Sequence, residues 1–314
     1  MRWGAYPPTK LLQTPIWLNL VRETIFFYNV DVTTKIAQSS VVTNRQWIVK
    51  ARVFYFSSTG NTRLGAELVA RGICQGGGCC DLVDITDSGA EKVALTFNDV
   101  DLVGFACPTF VWKPPIKVTD FIHNLPELEG RLGFLFCTCG WEPEGVVAKL
   151  ASEVVKKKII LIDSYIMWAE ESMTMIRWRR FILNRGRPNA EDRDGAIRFG
   201  ENLVHKYKQY KDDPSLPPHR SKRKFSCLTP ISILGCLARQ NLIKYYFRKK
   251  VNLELCNQCG LCAQQCPVGA IKMADYPKFC DNCIMCFRCI NLCPQDAIES
   301  WFTKGNPRYK GPKI

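Results

Sequence analysis

The chain has 314 residues, 46% of them apolar, with 43 lysines and arginines against 29 aspartates and glutamates, for a formal net charge of +14. This length suggests about two domains with cores of ordinary size. Seventeen cysteines in so long a chain, with no charged-then-apolar leader before them, exclude a small disulfide scaffold and give the expectation of a reducing, cytoplasmic setting.

Residues 1–50 form an N-terminal extension without an assigned role. Within it Ile16–Tyr28 carries Trp17, Leu20, Val21 and Ile25 at helical spacing, interrupted by Arg22 and Glu23. The pattern predicts an amphipathic helix, packed on its own protein or, as the alternative, lying on a membrane surface.

Residues 51–212 alternate between strand-like and helix-like patterns. Arg52–Phe56, Asp81–Ile85, Asp101–Ala106, Arg131–Phe136 and Lys158–Tyr165 read as five strands. Lys117–Asn124 and Gly145–Lys156 read as helices between them. A last helix begins with Asn189 as N-cap, carries Glu191 and Asp192 in its first turn where the helix dipole favours acids, and runs to about Tyr210. Five strands with crossover helices in this span predict an α/β fold with a doubly wound parallel sheet.

The most informative loop of this half is Ser57-Ser58-Thr59-Gly60-Asn61-Thr62, directly after the first strand. Three hydroxyls and the backbone N–H groups opened by Gly60 converge on a helix N-terminus, which makes a phosphate cradle. It lacks both Gly-Lys-Ser/Thr and Gly-x-Gly-x-x-Gly, so a monophosphate ligand fits better than a nucleotide or dinucleotide.

Residues 213–250 join this region to the next. Asp213–His219 is a linker stiffened by Pro214, Pro217 and Pro218, and Ile231–Phe247 has apolar spacing suited to a helix. The longest uncharged apolar-leaning run, Cys227–Ala238, is a dozen residues, short of the roughly 20 that a spanning helix needs. Basic runs stand at Arg177–Arg180, His219–Lys224 and Arg248–Lys250. No nucleic-acid module accompanies them, so they read as solvated faces or steering patches for an acidic partner.

Residues 251–305 open with a predicted strand, Val251–Leu255, and then carry one motif twice. Cys256, Cys259, Cys262 and Cys266-Pro267 recur 27 residues later as Cys283, Cys286, Cys289 and Cys293-Pro294, and both copies close on an Ala-Ile pair, Ala270-Ile271 and Ala297-Ile298. Three thiolates at this spacing wrap one face of a cubane, while the fourth, set by proline, reaches for a second cluster. Paired zinc knuckles would use two short Cys-x-x-Cys hooks and would not need the third cysteine. The spacing therefore points to two [4Fe–4S] clusters. Cys280 would offer an alternative register, but that register leaves Cys289 without a role and breaks the repeat. Residues 306–314 are a basic tail. His123, His205 and His219 are scattered along the chain with no catalytic neighbour in sequence.

Ser57–Thr62 after the first strand resembles the FMN-phosphate loop of flavodoxins, in which the flavin sits at the carboxyl edge of a sheet. The resemblance implies a second loop after strand three, with Pro108, Thr109, Phe110 and Trp112, and a third after strand four, with Thr138, Cys139, Gly140, Trp141 and Gly145. Cys107 and Cys139 could also touch the ring. Taken whole, residues 51–305 are similar to the fused flavodoxin–ferredoxin proteins of anaerobes, the EFR-type ferredoxins. That implies bound FMN, and, if the motifs pair as in two-cluster ferredoxins, one cluster on Cys256, Cys259, Cys262 and Cys293 and another on Cys283, Cys286, Cys289 and Cys266. It implies electron transfer with a redox partner protein, an acidic ferredoxin or an oxidoreductase. The alternative is a reductase of a small molecule, fed by its own clusters.

Overall fold

The computed structural model describes residues 48–87, 96–110, 112–141, 143, 145–173, 182–220, 248–300 and 303–312. The expected helices over 16–28 and 231–247 lie outside them. Five strands, β1 (Lys50–Tyr55), β2 (Cys79–Asp84), β3 (Leu102–Pro108), β4 (Leu132–Cys139) and β5 (Ile160–Trp168), form one parallel sheet in the order β2-β1-β3-β4-β5. This is the flavodoxin-like doubly wound order, whose direction of winding reverses between β1 and β3.

A parallel sheet is covered on both faces, so its inner strands read as near-continuous apolar runs. All eight residues of β4 are buried, as are the first six of β3. Alternate side chains feed two cores. Val53, Tyr55, Phe134 and Phe136 face helices α1 (Asn61–Gln75) and α4 (Ala190–Asp212). Phe54, Phe105 and Leu135 face α2 (Ile116–Asn124) and α3 (Val146–Val155). The expected N-cap of α4 is present as a complete capping box. Asn189 Oδ1 accepts from Asp192 N at 3.0 Å, and Asp192 Oδ2 accepts from Asn189 N at 2.9 Å.

Helices α1 and α4 approach until backbones touch. A Cβ on Gly72 would collide with the Ile197 carbonyl, and one on Gly200 with the Val69 carbonyl. Neither carbonyl can swing aside as a flexible side chain would. Gly72→Val is therefore expected to cost about 3 kcal/mol in a urea unfolding curve, at the upper end for overpacking. Gly145→Ala, where a Cβ meets nothing within 4 Å, should leave the curve close to wild type.

The C-terminal part is built from two small antiparallel ribbons, β6 (Lys249–Val251) with β9 (Ile298–Ser300) and β7 (Ile271–Met273) with β8 (Pro277–Phe279). Two short helices, α5 (Leu261–Gln264) and α6 (Arg288–Leu292), pack with them around Ile271, Phe287, Ile290 and Ile298. The strand expected over 251–255 stops at Val251. Asn252 Oδ1 accepts from Glu254 N at 3.0 Å and the Asn252 carbonyl from Cys256 N at 3.1 Å, which turns the chain.

The sequence repeat is also a backbone repeat. Left-handed φ angles fall at Gln258 and Met285 (58° and 55°), at Gly260 and Phe287 (71° and 57°), and at Gly269 and Asp296 (59° and 49°), each pair 27 positions apart. The Ala-Ile pairs acquire a reason as well. Ala270 N donates to Cys266 Sγ at 3.2 Å and Ala297 N to Cys293 Sγ at 3.3 Å.

Candidate functional site

A cavity opens at the carboxyl edge of the sheet. One wall is the loop between β1 and α1. Ser57 N donates to Thr86 Oγ at 2.8 Å, and Gly60 N donates to Ser57 Oγ at 3.1 Å. Gly60 holds a left-handed φ of 100°, which a side chain would resist, and no side chain caps α1 behind it. Thr62 Oγ and Thr138 Oγ lie 2.8 Å apart and join this loop to the end of β4.

The cavity brings together most of the residues expected from the three loops. Ser57, Ser58, Thr59, Asn61, Thr62, Pro108, Thr109, Phe110, Thr138, Cys139 and Gly140 line it. Gly60 does not line it and faces Pro312 instead. Trp112 and Trp141 stand just beyond the lining positions Phe110 and Gly140, with ring centroids 6.1 Å apart, and Gly145 serves as the N-cap position of α3. Cys107, expected near the ring, points the other way. It is fully buried in the α2/α3 core with its Sγ 4.0 Å from Cys137 Sγ, because β3 alternates its faces. Cys139 does line the cavity. Burial pushes its thiol up to about 12, so it stays protonated, and it donates to the Trp141 carbonyl at 3.0 Å.

Two further segments complete the cavity that the motifs did not announce. Ala169–Met173, after β5, contributes Glu170 and Glu171, and Met285-Cys286-Phe287 arrives from the cysteine-rich region. The first could have been sought from chain order alone, since the end of β5 lies on the same sheet edge. Nothing local in the sequence marks the second.

The cysteines of the two motifs sort into two quartets. Cys266, Cys283, Cys286 and Cys289 border one apolar cavity. Cys256, Cys259, Cys262 and Cys293 border another. In each, the fourth cysteine comes from the other motif. Among the described residues no group of three or more His, Cys, Asp or Glu is placed to hold a single metal ion. Cys280 borders neither cavity; its N–H donates to the Ala270 carbonyl at 2.9 Å.

The quartet around Cys286 has a cation beside it. Lys249 Nζ donates to Cys283 Sγ at 3.0 Å and lies 6.0 Å from the ring centroids of Phe279 and Phe287. Burial opposes its charge, but the Cys283, Cys289 and Cys286 sulfurs outweigh burial and raise its pKa. Burial pushes the Cys286 thiol up to about 11, and the Lys249 charge acts against that rise. A second lysine bridges the two regions. Lys117, from α2, is buried and donates to the Pro267 carbonyl at 2.6 Å and the Asp87 carbonyl at 2.9 Å. Arg288 reaches Asp87 at 3.4 Å, and Asn291 Nδ2 donates to the Ser172 carbonyl at 2.9 Å.

Two histidines find polar neighbours: His123 Nε2 lies 2.7 Å from Glu153 Oε2 at an exposed position, and His219 meets β5. His219 Nε2 lies 2.8 Å from Ser164 Oγ, but Nδ1 is 3.9 Å from Asp163, beyond hydrogen-bonding range, and Asp163 is held by Lys206 at 2.6 Å. The contact anchors the proline-rich linker to β5 and is not set up as a proton relay.

Comparison with known proteins separates the two regions. Residues 249–272 match the 4Fe-4S binding domain family. The matched stretch contains Cys256, Cys259, Cys262 and Cys266, and the second motif lies beyond it. No curated protein matches the chain. Among solved structures, a flavodoxin from the domain Archaea is similar at 16% identity over 51% of this chain and 99% of its own, with a TM-score of 0.38. The flavodoxin of Megasphaera elsdenii is similar at 19% identity over 48% and 98%, with a TM-score of 0.36. The rubredoxin:oxygen oxidoreductase of Desulfovibrio gigas shares 14% identity over 51% of this chain and 36% of its own, with a TM-score of 0.39. At scores this low the fold assignment rests on the strand order itself. Among the described residues no helix is long and apolar enough to cross a membrane.

Proposed function

We propose that the chain is an electron-transfer iron–sulfur flavoprotein of the fused flavodoxin–ferredoxin kind, with FMN in the cavity at the sheet edge and a [4Fe–4S] cluster in each cysteine quartet. In this reading residues 51–212 form the flavin domain and 251–305 the cluster domain. The observation that carries it is Cys286. It borders the sheet-edge cavity and one cysteine cavity at once, and Phe287 beside it does the same. The other quartet shares no residue with the sheet-edge cavity.

When bound, FMN supplies exchange between one-electron and two-electron carriers. The chain's own residues do the rest. Ser57, Thr59 and Thr62 offer hydroxyls to a single phosphate beside the N-terminus of α1. Phe110 and Phe287 give the cavity apolar walls, and Lys117, Arg288 and Asn291 tie the cluster region to the sheet so that Cys286 keeps its place.

Anaerobic purification with cofactor analysis tests the proposal. Mild denaturation should release FMN and no FAD. Dithionite or reduced ferredoxin should bleach both the flavin and the iron–sulfur absorbance, while NADPH alone should leave them unchanged. Release of FAD, or rapid bleaching by NADPH without an added reductase, would sink it.

A further inference from the structure

The C-terminal segment lies directly on the loop assigned to the flavin phosphate. Tyr309 is only 4% exposed, and its hydroxyl donates to Asn61 Oδ1 at 2.6 Å across 248 positions of sequence. The same Asn61 side chain donates through Nδ2 to the Glu170 carbonyl at 3.3 Å, so both ends of the amide are fixed, one by the tail and one by the segment after β5. Tyr309 is itself held, because its N–H donates to Asn291 Oδ1 at 3.0 Å while Asn291 Nδ2 donates to Ser172. Arg308 pins the approach, donating to the Ile298 carbonyl at 3.0 Å and pairing with Asp296 at 3.6 Å. Beyond Tyr309 the tail turns at Gly311, with a φ of 98°, and comes to rest over Gly60. Pro312 Cδ sits 2.9 Å from where a Cβ on Gly60 would be.

We infer that residues 308–312 are a strap that holds the phosphate loop shut, with Tyr309 as the positioning residue acting through Asn61, and that this strap slows release of the flavin. The inference rests on the proposed placement of FMN. Its physical basis is that Asn61 is the first residue of α1 and lines the cavity. A loop whose backbone N–H groups must face a phosphate binds it best when it is ordered beforehand. Gly60 alone would leave that loop mobile, and Pro312 and Tyr309 restrain it from the side away from the cavity. The strap touches the loop and does not line the cavity, so its effect falls on the phosphate end of the ligand.

The test compares release of FMN with release of riboflavin, which lacks the phosphate, by following the recovery of flavin fluorescence after dilution of the intact protein. Tyr309→Phe removes one hydroxyl and should speed FMN release by about tenfold, the worth of one buried hydrogen bond. Riboflavin release and iron content should stay as in wild type. Deletion of residues 307–314 should speed FMN release further, by roughly 100-fold, since it removes the cover as well. In an Asn61→Ala background, Tyr309→Phe should have no additional effect. If wild type retains FMN and Tyr309→Phe releases it at the wild-type rate, or speeds riboflavin equally, the strap is overturned while the flavin site stands. If wild type binds no FMN, the flavin placement fails and the strap with it.

Discussion

Cys266→Ser is expected to damage the cluster of the second motif although it lies in the first. Cys266 shares its cavity with Cys283, Cys286 and Cys289 and not with its sequence neighbours. The cause is local. After the three-residue step from Cys262 the chain turns through Pro267 and the left-handed Gly269, and Ala270 N holds Cys266 Sγ in that orientation. Serine retains the shape but replaces a thiolate with a poor iron ligand, so iron content should fall by as much as roughly half, one of the two proposed clusters. EPR spectra of the reduced Cys266→Ser, Cys286→Ser and Cys259→Ser proteins would decide. Cys266→Ser should match Cys286→Ser. A spectrum matching Cys259→Ser would mean that each motif holds its own cluster.

Replacing Lys249 by methionine should lower the reduction potential of that same cluster. Reduction adds an electron, and a half-buried ammonium 3.0 Å from the sulfur of a proposed ligand, Cys283, favours the more negative state. Without it the oxidised state gains, and the potential moves to more negative values. Charged hydrogen bonds are worth about 1.5–3 kcal/mol in all, of which only the difference between oxidation states counts. Since about 59 mV is a tenfold change for a one-electron couple, a shift on the order of 50 mV is expected. Lys249→Arg should recover much of it. The check is a potentiometric titration monitored by EPR. A potential unmoved by the methionine would show that Lys249 serves packing between Phe279 and Phe287 and not tuning. For the other quartet, Cys262 feels its burial, the Ala263 backbone N–H and the neighbouring Cys293 and Cys259, and Lys249 does not border its cavity, so its potential should hold in both variants.

What could be read from the residues was what is encoded locally. The Asn189 capping box, the apolar runs of β3 and β4 and the spacing of the cysteine motifs are short-range patterns with one physical solution each, and all are found where the sequence places them. The β6 strand was read too far because its aliphatic pattern continues through Leu253 and Leu255, while the turn is dictated by the Asn252 side chain. Lys249, Lys117 and Tyr309 were not legible as anything but a basic residue or a tail residue. Their partners are Cys283, Pro267 and Asn61, separated from them by 34, 150 and 248 positions, and no pattern within one segment carries such a pairing. The second half of the repeat hid its difference in the same way. Phe287 occupies a left-handed position that Gly260 fills in the first copy, at a strain of about 1–2 kcal/mol, and its ring both packs in the ribbon core and lines the sheet-edge cavity.

The walls of the sheet-edge cavity are drawn from segments beginning at Ser57 and ending at Phe287, and this has a consequence for the order of assembly. As the chain leaves the ribosome, β1 through β5 and the helix α4 that covers their α1 face are complete by Asp212 and can fold as a unit. At that stage every wall of the cavity has been made except the one at Met285–Phe287. Closure waits on a region whose own folding free energy, in the proposed reading, depends on the metal it captures. Newly made protein would thus offer the flavin an open berth first and a walled one only after iron has been delivered. Starvation for iron would then appear in the cell as a shortage of retained flavin as well as of clusters.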